Sequence, residues 1–161
     1  MTAKEYLQQI YKIDRRINIT LAKAQKMEES LYGKNIEMND APSSNHGTDT
    51  LGKSICKVME YEEKANRLID RLVELRLEIE TVIETISNSE QKEVLERRYL
   101  LFQPWESYYD KNKEIYIKGI AEEMGYSVRQ IYRIHGEALK NINVSQCPVS
   151  YTHLRAHETP E

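Results

Sequence analysis

A small residue and a glycine four positions apart constrain this chain more than any other feature. Ala121 lies where two helices must nearly touch, and only a small side chain fits at such a crossing. Gly125 lies where a tight turn needs a positive φ, which glycine adopts at little cost. This spacing predicts a helix-turn-helix. The apolar side chains that would close its angle are Ile117, Ile120, Met124, Tyr126, Ile131 and Ile134.

The second helix of this motif has a distinct start and two distinct sides. Ser127 is placed to cap its N-terminus, and Gln130 three residues later would complete a capping box. One side of the helix is expected to face the core, and it carries Ile131, Ile134, Ala138 and Leu139. The other side is expected to face outward, and it carries Val128, Arg129, Gln130, Tyr132, Arg133, Gly136 and Lys140.

These outward residues suit recognition of double-stranded DNA, with the second helix in the major groove. Arg129 and Arg133, one turn apart, are the expected base contacts, and Gln130 either reads a base or serves the cap. The expected backbone contacts are Ser127, Tyr132, Lys118 and Lys140. The alternative is an ordinary solvated helix face beside Glu137. Gly136 costs about 1 kcal/mol against alanine, which close approach of another helix or of DNA would explain.

The charge balance is unfavourable for a DNA-binding protein. The chain has a net charge of −3, and residues 88–143 contain nine Lys and Arg against nine Asp and Glu. Phosphate neutralisation supplies much of the affinity of most DNA-binding proteins. We therefore expect weak binding by the isolated protein unless a dimer or another protein adds contacts.

The amino-acid composition limits the classes of protein to which this chain can belong. The 161 residues are 40% hydrophobic and 30% charged, in long stretches without Gly or Pro, which favours a mostly helical chain. With neither a leader nor an apolar run of about 20 residues, we expect a soluble, cytoplasmic protein. Cys56 and Cys147 read as reduced thiols. The sequence contains no phosphate loop, metal cluster or nucleophile-base pair, and His135 has no catalytic partner nearby in sequence. We therefore expect that the protein is not an enzyme and binds neither a cofactor nor a metal.

Two segments carry heptad patterns of apolar residues, residues 2–31 and residues 53–86. In the first, Thr2 and Glu5 form an expected capping box, Thr20 interrupts one apolar row, and Gly33 is placed to end the helix. The second is the cleaner repeat, with Val58, Ala65, Leu72, Ile79 and Ile86 in one row. Pairing of the two as an antiparallel hairpin joined by a flexible linker over 33–52 is one arrangement, and pairing with a second copy is the other.

Residues 87–143 are predicted to form the DNA-binding domain. Ser87 and Glu90 resemble a capping box that opens a helix ending before Pro104. Residues 105–113 are expected to form a short helix and a loop, with Trp105 anchoring the core. Among lysines lie Tyr108, Tyr109 and Tyr116, which either pack or contact nucleic acid.

The tail, residues 144–161, differs in composition from the rest. His153 and His157 would share a helix face, but no third metal ligand accompanies them. The stretch VSYTHLRAHETPE resembles a translated sequencing adapter. The tail is therefore expected to be disordered or artefactual.

The segment GYSVRQIYRIHGEALKNI resembles the end of region 4 of sigma-70 factors, the part that reads the −35 promoter element. Gly125, Ser127, Ile131, Ile134, Ala138 and Leu139 match that family's fixed positions. Arg129 and Arg133 match its base-reading positions and Lys140 a basic one, whereas Val128 and Tyr132 depart from its basic residues.

Up to Asn143 the chain is similar to small phage and prophage proteins of Gram-positive bacteria, related to RinA/ArpU-type late transcription regulators. The matching pieces are the motifs at residues 98–100, 105–106 and 125–127. In that group the Trp-Glu pair runs almost directly into the next helix. Here residues 107–119 intervene as an insertion that is expected to displace Trp105.

The resemblance implies an all-α protein. In it, a long antiparallel helical hairpin (1–86) is followed by a C-terminal helix-turn-helix domain (87–143). It implies a phage-type transcriptional regulator that binds DNA, with RNA polymerase and a second copy of the chain as candidate protein partners. The alternatives are a terminase small subunit-like DNA-packaging protein and a helical adaptor that binds protein and never DNA.

Overall fold

The computed structural model describes residues 1–36 and 47–146 of the chain. Its elements, in chain order, are α1 (Ala3–Ile36), α2 (Gly47–Glu84), α3 (Ser89–Leu95), a π-helical turn (Glu96–Leu100), β1 (Tyr108–Asp110), β2 (Ile115–Ile117), α4 (Ile120–Met124), α5 (Val128–Lys140) and a 3-10 turn (Val144–Gln146). The described chain is therefore mostly helical, as predicted, with one two-stranded antiparallel sheet added. Within these ranges no helix has the length and apolar character needed to cross a bilayer.

The ends of α1 test two local predictions. At its start the backbone N–H of Thr2 donates to the Glu5 carboxylate at 2.7 Å, and the N–H of Glu5 donates to Thr2 Oγ1 at 3.2 Å, which confirms the capping box. At its end the prediction is wrong, because the helix continues through Gly33 to Ile36. A glycine inside a helix costs only about 1 kcal/mol, which neighbouring helical residues readily offset.

The segment between α1 and α2 is shorter than the predicted linker. Because α2 begins at Gly47, residues 33–36 and 47–52 are helical and not linker. Residues 37–46 lie outside the described residues, as does the tail from residue 147 onward with both of its histidines.

Two compact units divide the chain at places other than the predicted boundary after residue 86. One unit is Ile10–Glu74, and the other combines Met1–Gln9 with Leu75–Glu161. Both ends of the heptad-bearing region therefore belong to the same unit as the predicted DNA-binding domain. In that unit Tyr6, Leu7, Ile79 and Ile83 are buried.

The unit Ile10–Glu74 is built from the heptad patterns. Ile17 and Ala24 of α1 and Ala65 of α2 are buried, as the spacing predicts. Thr20, at the interruption, is buried as well, and its hydroxyl donates to the carbonyl oxygen of Arg16 at 2.8 Å, so its polar group is satisfied. Tyr61 of α2 lines a surface groove with six residues of α1, so the two helices are neighbours there.

In the other unit, α3 begins one residue later than predicted. Asn88, and not Ser87, is the N-cap, and its Oδ1 accepts from the backbone N–H of Gln91 at 3.0 Å. Asparagine is as good a cap as serine, so the sequence alone does not separate the two neighbours. The helix continues through the π-helical turn, and the chain reverses at Phe102, where φ is +54°, before Pro104 as predicted.

Residues 105–113 do not form the predicted short helix. Tyr108–Asp110 pairs antiparallel with Ile115–Ile117, and Tyr109 lies opposite Tyr116. Tyrosine and isoleucine favour strands, and here this preference prevails over any helical tendency. The turn is held by Asp110, whose Oδ1 accepts the backbone N–H groups of Asn112 at 2.9 Å and of Lys113 at 3.3 Å.

The two ends of this β-hairpin meet at the start of α4. Ser107 Oγ accepts the backbone N–H of Gly119 at 2.8 Å. The carbonyl oxygen of Trp105 accepts the N–H of Ala121 at 3.2 Å. Residues 107–119 therefore close on themselves and leave Trp105 beside α4.

We predict opposite effects of one substitution at two glycines. A Cβ at Gly119 would lie 2.4 Å from the backbone carbon of Glu106, whereas a Cβ at Gly136 would meet nothing within 4 Å. Gly119→Ala should therefore lower the free energy of unfolding by about 2 kcal/mol or more through steric overlap. Gly136→Ala should raise it by about 0.5–1 kcal/mol because alanine is the better helix former. Urea unfolding followed by circular dichroism measures both, and equal effects of the two variants would contradict this packing.

Candidate nucleic-acid interface

The start of α5 is fixed by the two residues that the sequence singled out. Gly125 ends α4 with φ +72°, in the left-handed region, as predicted. Ser127 is the N-cap of α5, and its Oγ accepts the backbone N–H of Gln130 at 3.2 Å. Between them, the N–H of Tyr126 donates to the carbonyl oxygen of Ala121 at 2.9 Å, which holds the turn closed.

The inner side of α5 is buried, as predicted. Ile131 and Ala138 are fully buried, Ile134 is nearly so, and Leu139 is half-buried. Ile131 and Ile134 belong to a core that includes Val94 of α3 and Ile120 and Ala121 of α4. Val128, expected to face outward, is instead half-buried and packs against this core.

The predicted base contacts lie on the outer side of α5. Arg129 and Arg133 are exposed, and among the residues that the structure describes neither has an ion-pair partner. Both guanidinium groups are therefore available to a ligand. Gln130 is half-buried near Ser127, the N-cap residue. Its role in reading bases stays a prediction.

The predicted backbone contacts differ in how available they are. Ser127 and Lys140 are exposed. Tyr132 is 51% exposed and packs edge-on against Trp105, with ring centroids 5.3 Å apart. Lys118 pairs with the Glu123 carboxylate at 3.3 Å, so a phosphate would have to displace that carboxylate.

A cluster of polar and aromatic side chains packs at His135, on the inner side of α5, and the sequence analysis did not predict it. His135 is buried, and its Nε2 shares a hydrogen bond with the Tyr99 hydroxyl at 3.0 Å. Trp105 packs edge-on against His135 at 4.9 Å between centroids, and the Arg98 guanidinium lies 4.6 Å from the Trp105 ring centroid. The available signal was that position 135 lies one turn from Ile131, on the inner side of the helix.

The environment of His135 keeps its imidazole neutral. Burial lowers its pKa from 6.5 to about 4, with smaller contributions from the positive charges of Lys4 and Arg98. His135 is therefore a buried neutral residue with a specific partner in Tyr99.

The β-hairpin is tied to α4 through Glu122. The hydroxyl groups of Ser107 and Tyr116 both donate to Glu122 Oε2, the second at 2.5 Å. These hydrogen bonds, with a smaller contribution from Lys118, hold the pKa of the Glu122 carboxyl below its usual 4.5. The link orients the hairpin relative to the helix that precedes the turn.

The tyrosines of the hairpin have large exposed surfaces. Tyr108, Tyr109 and Tyr116 are 50%, 56% and 60% exposed. The exposed part of each ring is accessible to a ligand, and contact with nucleic acid stays a prediction.

Gly136 lies in open space on α5. Since no described atom lies within 4 Å of a Cβ built there, close approach of another helix of the described chain does not explain this glycine. Approach of a ligand to the helix backbone remains an explanation.

No protein-family model, curated protein sequence or solved structure matches the chain.

The burial of His135 predicts a pH-dependent stability. Its folded pKa lies below the unfolded value of 6.5, so between pH 6.5 and about 4 the unfolded chain takes up a proton that the folded chain does not. Stability should fall as the pH falls through this window, by roughly 2–3 kcal/mol for this group. Urea unfolding at pH 7 and pH 4 measures the loss.

The control for this experiment is His135→Gln, which removes the titrating imidazole. Its stability should lose less between the two pH values than that of the wild type, by the amount assigned to His135. Equal losses in the two proteins would contradict the assignment. The Glu122 carboxyl titrates below pH 4.5 in both proteins and therefore cancels in the comparison.

Proposed function

We propose that the protein is a sequence-specific DNA-binding transcriptional regulator in which α4 and α5 act as a helix-turn-helix. The observation that carries the proposal is the two-sided character of α5. Ile131 and Ile134 are buried on one side, while Arg129 and Arg133 are exposed on the other and have no ion-pair partner among the described residues. Such a helix fits the major groove, where an arginine reads guanine through two hydrogen bonds.

The start of α5 supports contact with phosphates. Ser127 leaves the positive end of the helix dipole facing outward, which favours a nearby phosphate oxygen. Tyr132 and Lys140 on the exposed side are placed to bind the backbone without reading the sequence. Gly136 lies on the same side and would permit close approach of DNA to the helix.

The net charge of residues 88–143 affects how strongly the isolated protein should bind DNA. Residues 88–143 carry equal numbers of basic and acidic side chains, so DNA binding by the isolated protein should be weak. We therefore propose that RNA polymerase supplies additional contacts, as the likeness to sigma-70 region 4 implies. In this proposal α1 and α2 form an antiparallel hairpin that serves as a protein-binding arm.

A protein-binding adaptor is the second candidate, and the exposed hairpin favours it. Tyr108, Tyr109 and Tyr116 present aromatic rings, which are enriched at protein interfaces. The segment from residue 106 to 118 has three acidic and three basic residues, so its charge does not itself attract DNA. An adaptor would show no preference among DNA sequences.

The test is selection of bound sequences from random double-stranded DNA, with and without RNA polymerase, followed by fluorescence anisotropy. Arg129→Ala and Arg133→Ala should each weaken binding to the selected site by about 1–3 kcal/mol and relax the preference at one base pair. The reason is loss of a bidentate contact to a base.

Arg15→Ala is the matched control, because Arg15 is an exposed arginine of α1. Measured on DNA without RNA polymerase, it should leave both affinity and sequence preference unchanged. If no sequence is selected under either condition, or if both arginine variants bind like the wild type, the regulator proposal fails and the adaptor is favoured.

A further inference from the structure

Within the unit Ile10–Glu74, α2 carries a second row of apolar side chains besides its buried one. Val58 and Ala65 belong to the buried row. The second row is exposed, and we call it the α2 side row. Its apolar members are Ile55 (47% exposed), Met59 (62%), Ile69 (39%) and Val73 (53%).

The α2 side row also has two polar members at its centre. Glu62 and Asn66 are both exposed and lie between Met59 and Ile69. The six positions 55, 59, 62, 66, 69 and 73 follow one another at alternating steps of four and three. This is the spacing of a coiled-coil seam, and it keeps all six on one side of the helix over roughly 27 Å.

Along the row, the order of apolar and polar residues is the same when read from either end. Positions 55 and 73, 59 and 69, and 62 and 66 lie symmetrically about position 64. The first two pairs are apolar and the third is polar. A surface of this kind is self-complementary about a two-fold axis, as a symmetric dimer contact must be.

We propose that the α2 side row binds the same row of a second copy of this chain, with the two helices antiparallel about a two-fold axis at position 64. Ile55 then faces Val73 of the other copy, and Met59 faces Ile69. Four apolar side chains of each copy, which are 39–62% exposed in the single chain, then leave the water along roughly 27 Å of helix.

Charge decides between antiparallel and parallel pairing. In a parallel dimer Glu62 would face Glu62, and like charges at such a contact are destabilising. In the antiparallel dimer Glu62 faces Asn66, whose amide N–H₂ group donates hydrogen bonds to a carboxylate. The polar centre therefore specifies the orientation and the register, while the apolar ends supply the affinity.

The experiment measures the mass of the full chain in solution, without DNA, by sedimentation equilibrium at roughly 50 μM protein. The wild type should be a dimer. Met59→Lys and Ile69→Glu should each weaken the dimer by at least about tenfold in Kd, because each places two charges in an apolar contact. The double variant should recover the dimer, because each introduced ammonium faces an introduced carboxylate of the other copy.

Parallel pairing would place the two ammonium groups together and leave the double variant monomeric. Glu28→Lys is the matched control, since Glu28 is exposed on α1, outside the row, and should not change the mass. Helicity by circular dichroism verifies that each variant is folded. A monomeric wild type, single variants that dimerise like the wild type, or a folded double variant that stays monomeric would each overturn the proposal. None of these results bears on the proposed DNA binding, which the arginine variants test.

Discussion

Burial of one side of α5 is the constraint on which the proposed interface depends. Ile131 and Ile134 pack against Val94, Ile120 and Ala121, and each fully buried isoleucine stabilises by about 1.5–3 kcal/mol. Because side chains advance by a fixed rotation along a helix, burying this side fixes the direction of every other residue. The arginines therefore extend outward as a consequence of core packing, and no ion pair within the described chain is needed to hold them.

The geometry of α5 and the net charge of the residues around it have opposite consequences for the proposed DNA binding. The unit that carries α5 presents two exposed guanidinium groups in a defined direction, without an ion-pair partner in the described part of the chain, yet residues 88–143 have no net positive charge to attract DNA. In the proposed function, affinity for DNA comes from added contacts, either from polymerase or from a second copy of the chain. A dimer formed through the α2 side row would carry two copies of α5 in one molecule, which raises the effective concentration of the second copy once the first is bound.

Several predictions that rest on neighbouring residues were accurate. Gly125 in the left-handed region, Ser127 as an N-cap and the Thr2–Glu5 capping box depend only on backbone geometry within a few residues. The heptad rows and the inner side of α5 follow from helical periodicity. Boundaries were less accurate, because Asn88 and Ser87 are equivalent as caps and Gly33 is tolerated within a helix. Recognition of DNA and of polymerase stays a prediction.

The sequence by itself determined that the chain is mostly helical, which sides of the long helices and of α5 are apolar, and where the turn before α5 lies, because these follow from local conformational cost and spacing. Tertiary structure decided the rest. The hairpin at residues 108–117 needs Ser107, Gly119 and Glu122 to close and orient it. The burial of His135 needs Tyr99, 36 residues away along the chain. Such pairings are long-range, so the energy that selects them is absent from any short stretch of sequence and exists only once the chain has folded.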